Sequence, residues 1–146
     1  MAEEVSKEKA REIIEMLTDG GSIDSINTSL ALGILPLVES IGDLDLLERL
    51  VEHAQNVAED DIEKGWARFE HLKRHLGSID DIAELAFHSE SLEKGEPLAA
   101  AVLHHHALML LSIDDVDSAQ TSVRRSLTIR ESIDDKEGII YGLAVL

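Results

Sequence analysis

Apolar residues recur every three or four positions through nearly the whole 146-residue chain, a helical period rather than the alternation of a strand. Long β-branched alternating runs are scarce and the chain has 2 prolines, Pro36 and Pro97, which also argues against a sheet. The punctuation is regular. The triplet Ser-Ile-Asp stands at 22–24, 78–80, 112–114 and 132–134, with the variant Ser40-Ile41-Gly42-Asp43 between the first two. Ser and Asp side chains accept from the free N–H groups of a helix's first turn. Acids just beyond, such as Asp81, Asp115 and Asp135, suit the positive helix end. Each triplet therefore reads as the end of one helix and the cap of the next. Gly20-Gly21 and the stretches 59–61 and 94–97 supply the other breaks.

This pattern predicts an all-α chain of about eight helices: 3–18, 22–40, 43–58, 61–76, 79–94, 97–111, 114–131 and 136–146. Pro36, close after Gly33, falls inside the second. It is expected to kink or split that helix, because proline lacks an N–H and clashes with the preceding turn.

An internal repeat emerges when the helices are aligned. Leu44, Ile79 and Val116 correspond, as do Leu47, Ile82 and Ala119, then Val51, Ala86 and Val123, then Ala54, Ser89 and Ser126. The offset is 35 residues in the first step and 37 in the second across all four sets. Ala31, Trp66 and Leu103, and Ile34, Phe69 and His106, align at the same offsets in the preceding helices. Two helices per period make this an array of helical hairpins.

The period and the pattern resemble the tetratricopeptide repeat over residues 28–146. The third unit carries the resemblance best, with Ala107 and Leu110 in its first helix and Ala119 and Ser126-Leu127 in its second. Trp66 and Gly77 also fall where that family often has Trp and Gly. The departures are Asp114 in place of the turn glycine, and Glu70 and Lys73 at semi-buried positions. The resemblance implies a right-handed α-α superhelix of about three to four hairpins over 22–146, preceded by an N-terminal helix in 1–21. It also implies a concave groove that binds peptide segments of partner proteins. Carried over position by position, that groove would hold Lys64, Ala67, His71, Arg74 and His75, then Ala101, His104 and Leu108. The carboxylate-reading Lys, Asn and Arg set of the co-chaperone members is absent. Its positions hold Ser29, Leu32, Pro36 and Glu39, and Ala101 and His104.

Each hairpin has a face it cannot bury alone. The last helix presents Ile139, Ile140, Tyr141, Leu143 and Val145 with no following helix to cover them. The expectation is pairing with another chain, as in a homodimer, or continuation into a longer protein.

Charge narrows the partners. With 13 Lys+Arg against 30 Asp+Glu the net charge is −17, so neither nucleic acid nor a membrane is an expected partner. Against that background the helix at 62–76 is anomalous. It carries Lys64, Arg68, His71, Lys73, Arg74 and His75, opposite an apolar stripe of Ile62, Trp66, Phe69, Leu72 and Leu76. Such cations suit an acidic partner segment. Arg124, Arg125 and Arg130 lie on a second helix and are expected at the solvent face.

The chain has no cysteine, so thiolate zinc sites and Cys nucleophiles are excluded. No apolar run approaches the ~18–20 residues a membrane helix needs. The charged N-terminus lacks a signal-peptide core, which makes the cytoplasm the expected address. No nucleophile elbow or Gly-rich phosphate loop is present. The expectation is a non-enzymatic adaptor without a cofactor, binding an acidic protein or peptide segment through Lys64, His71, Arg74, His75 and His104, and self-associating through Ile139, Ile140, Tyr141 and Leu143. One alternative is a metal-binding or hydrolytic protein using His71 and His75, at i and i+4, with His104. Another is a sensory repeat segment of a larger regulator.

Overall fold

Side-chain caps set the layout of the chain, whose computed structural model describes residues 5–75 and 77–145. Ser6 accepts from the Lys9 N–H and opens α1 (Lys7–Thr18), and Asn27 accepts from the Leu30 N–H and opens α2 (Thr28–Ile41). Asp43 caps α3 (Leu44–Val57) through the Leu46 N–H, and Asp60 accepts from the Glu63 N–H in the first turn of α4 (Asp61–Arg74). Ser78 and Asp81 form a reciprocal capping box on α5 (Ile79–Glu90). The last three helices are α6 (Glu96–Ser112), with Pro97 in its first turn, α7 (Val116–Ser132) and α8 (Lys136–Val145). No strand occurs among the described residues.

Two expectations about the second helix need correcting. Ser22 caps only a single 3-10 turn at Ile23–Ser25, and α2 begins afterwards at its own cap, Asn27. Pro36 does not split α2, which runs as one element to Ile41. The proline lies on the exposed face of the helix, so its ring stays out of the core.

The Ser-Ile-Asp triplets also divide into two kinds. At 78–80 the Ser is an N-cap, as expected. At 112–114 and 132–134 it is instead the last residue of its helix, and the cap of the next is the following acid, Asp115 or Asp135. In these turns Ser112 and Ser132 donate to the carbonyls of Met109 and Ile129, as Ser40 does to Leu37. Asp114 and Asp134 then take left-handed backbone at φ 62° and 55°, the position Gly42 fills at φ 83°. Asp114 N–H reaches the Leu111 carbonyl and Asp115 N–H the Leu110 carbonyl, and the same pair of bonds recurs at Asp134 and Asp135. All three turns carry the serine bond and a left-handed residue, and two of them place an aspartate where glycine is least strained.

The chain forms two compact units, 1–71 and 72–146, with the boundary inside α4. In the first, α1 packs on α2 and α2 on α3, around a core of Ile14, Leu17, Ile34, Leu35, Val38, Leu50 and Val51. His53 Nε2–H donates to the buried Ile26 carbonyl at 2.8 Å, tying the entry of α2 to α3. In the second unit the successive pairs α5–α6, α6–α7 and α7–α8 pack, with Ala107, Leu110, Ala119, Val123 and Leu127 forming an apolar cluster.

The repeat is visible in burial. Leu47, Ile82 and Ala119, then Val51, Ala86 and Val123, then Ala54, Ser89 and Ser126 are all buried. The first aligned set is not: Leu44 and Val116 are exposed and Ile79 is half-buried, because each sits in the first turn of its helix. One buried bond is also shared across the repeat. Thr28 on α2 donates to the Ala54 carbonyl on α3, and Ser126 on α7 donates to the Ala100 carbonyl on α6, both at 2.8 Å. The four residues are aligned pairs, with the hydroxyl moved from the first helix of one hairpin to the second helix of the other.

Candidate functional site

The sequence-assigned groove residues fall on both units. Lys64 is exposed and His71 half-buried on α4 within 1–71. Arg74 is half-buried at the end of α4, His75 is exposed just beyond it, and His104 is half-buried midway along α6, all within 72–146. Ala67, carried over as a groove position, is instead fully buried in the core of the first unit. Leu108 is exposed on α6 as expected.

Within 72–146, two cations, Lys73 and Arg130, act on histidines in the middle of α6. His104, His105 and His106 are successive and all half-buried. Burial holds the His104 imidazole below its ordinary pKa, and the Arg130 cation lowers it further. Burial does the same to His105, aided by Lys73 and by the flanking histidines. His106 is also lowered by burial, with Asp80 pulling the other way, and its Nδ1 lies 2.9 Å from the Ser122 hydroxyl. The aligned pair in the first hairpin is Ile34 and Leu50, both fully buried. A polar pair thus replaces an apolar one in this hairpin.

Arg130 corrects the expectation of a solvent-facing cation: it is only 9% exposed. Its Nη1 donates to the Gly138 carbonyl at 2.9 Å, and its Nε lies 3.8 Å from the Asp135 carboxylate. Burial lowers the guanidinium pKa and Asp135 opposes that. Asp135 in turn caps α8 through the Gly138 N–H, so Arg130 fastens the α7–α8 corner. The Nε of Arg130 and the Nδ1 of His104 are buried atoms with no hydrogen-bond partner. Arg125, by contrast, is exposed and pairs with Glu90 at 2.6 Å. That pair lines a concavity of about 290 Å³ together with Glu96, Thr128 and Ser132, which leaves the lining net negative.

The sequence reading named Lys73 among the cations of the 62–76 helix but missed His105 and Arg130 as members of this cluster. Spacing held the signal for Arg130. It continues the buried row Ala119, Val123, Ser126 and Leu127 at helical intervals.

At the C-terminal helix, Ile139 is half-buried against the Ala107–Leu127 cluster and so is not part of an outward face. Ile140 and Leu143 are 68% and 59% exposed. The side chains of Tyr141 and Val145 lie outside the described residues. α8 can approach α7 closely because a Cβ at Gly142 would stand 2.5 Å from the Leu127 side chain.

Among the described residues no group of three or more His, Asp or Glu side chains is placed to hold a metal ion. No helix among them is long and apolar enough to cross a membrane. No family model, no curated protein and no solved structure matches the chain.

Proposed function

We propose that this chain is a non-enzymatic interaction module of tetratricopeptide-like hairpins that captures an acidic segment of a partner protein. The surface assigned to this role is in the 72–146 unit, where Lys73 and Arg130 act on His105 and His104, with Arg74 and His75 following Lys73 in the chain. One observation carries the reading: in a chain of net charge −17, the Arg130 cation acts on His104 and the Lys73 cation on His105. An incoming anion would be drawn to this local positive charge.

The local field is also the less acidic of the two. Residues 1–71 hold 6 Lys+Arg against 17 Asp+Glu, a charge of −11, and residues 72–146 hold 7 against 13, a charge of −6. The test is fluorescence anisotropy with a labelled oligoglutamate peptide. Binding that weakens with salt and on Arg74→Glu supports the reading. Failure to bind at low salt, or binding indifferent to salt, defeats it. A second reading, self-association through α8, is favoured by the outward Ile140 and Leu143.

A further inference from the structure

The first unit carries a groove with features complementary to the outward face of α8. It lies between α1 and α2, has a volume of about 570 Å³, and is lined by Val5, Ala10, Gly33, Pro36 and Leu37. That volume is in the range of ligand-holding clefts. Lys7 and Arg11 flank it, one helical turn apart on α1, both exposed and both cations in a unit of charge −11. Ser40 closes one end, with its hydroxyl already committed to the Leu37 carbonyl.

The face of α8 offers the opposite character. Ile140 and Leu143 stand out from it, with Glu137 one turn before Ile140. Glu131 and Asp134 are exposed at the adjoining corner, against one exposed cation there, Lys136. Dimensions agree as well. At ~1.5 Å per residue, Gly33 to Ser40 spans roughly 10 Å of groove floor and Glu137 to Leu143 roughly 9 Å of ridge.

We propose that the α8 face of one copy docks head-to-tail into the α1–α2 groove of a second copy, with Ile140 and Leu143 on the apolar floor and the acids of the α7–α8 corner against Lys7 and Arg11. This rests on the self-association reading and assigns its receiving surface. The two surfaces differ, so the contact is heterologous and each added copy leaves one groove and one ridge free. Assembly therefore grows with concentration, into rings or open chains according to the rotation between copies.

Sedimentation equilibrium at low salt tests this. The wild-type mass should climb above the 16.0 kDa monomer as concentration rises. Ile140→Glu with Leu143→Glu, at exposed positions, should hold the chain at the monomer mass. Lys7→Glu with Arg11→Glu should weaken association at least about tenfold. An equimolar mixture of the two double variants should form one-to-one pairs of about twice 16.0 kDa, the first supplying an intact groove and the second an intact ridge. A wild-type chain that stays monomeric at every concentration overturns both the self-association reading and this proposal. Wild-type assembly that is indifferent to Lys7→Glu with Arg11→Glu, or variants that fail to pair when mixed, leaves self-association standing and overturns the groove assignment.

Discussion

Replacing Asp114 and Asp134 by glycine should stabilise the protein, because both residues hold left-handed backbone at φ 62° and 55°. A non-glycine residue in that region costs roughly 1–2 kcal/mol, with aspartate toward the low end. Glycine gives back roughly 0.5–1 kcal/mol through the greater freedom of the unfolded chain. Neither aspartate side chain caps the next helix, since Asp115 and Asp135 do that. The net gain is up to about 0.5 kcal/mol per turn and up to about 1 kcal/mol for both, additive because the turns lie at different helix junctions. For a cooperative unit of this size that is a rise in Tm of up to about 4 °C. Gly42→Asp, in the aligned turn, should lower stability by a similar amount per site. The assay is urea and thermal unfolding followed by far-UV circular dichroism on all four proteins. Destabilisation by Asp114→Gly and Asp134→Gly, or a neutral Gly42→Asp, would refute the claim that glycine is least strained at these left-handed positions.

Acid should loosen the 72–146 unit first. Burial holds His104, His105 and His106 below their ordinary value near 6.5 in the fold, so the unfolded chain binds more protons and stability falls as pH drops below that value. Amide exchange compared at neutral and mildly acid pH should show the loss in α6 and α7, and His106→Ile with Ser122→Leu, recreating the Ile34–Leu50 pair, should reduce it. Gly142→Leu should cost about 1–3 kcal/mol by driving α8 off Leu127, read as lost exchange protection confined to α8. Ser126→Ala and Thr28→Val should each cost about 1 kcal/mol in chemical denaturation, since each removes one buried hydroxyl bond to a carbonyl across its hairpin.

Helix number and order were legible because caps and apolar period act locally. The residues Ser78, Asp115 and Asp135 announce their helices whatever surrounds them. Partnering across helices was less legible. Ile139 turned inward because Gly142 lets α8 settle on α7, and a count of apolar residues is blind to that approach. Arg130 looked like its neighbours Arg124 and Arg125, yet its burial follows from the Gly138 carbonyl, supplied by the next helix. Pro36 shows the converse: a helix breaker by chemistry is tolerated where it stays on an exposed face.

The central claim is that Lys73 and Arg130, beside the histidines of α6, receive an acidic segment. Titrating the isotopically labelled protein with oligoglutamate, and following backbone and imidazole signals by NMR, tests it most directly. The account predicts saturable shifts at Lys73, Arg74, His104, His105 and Arg130, with the His104 imidazole moving toward its protonated form as the peptide supplies counter-charge. Shifts centred away from α6, or none at low salt, would contradict it.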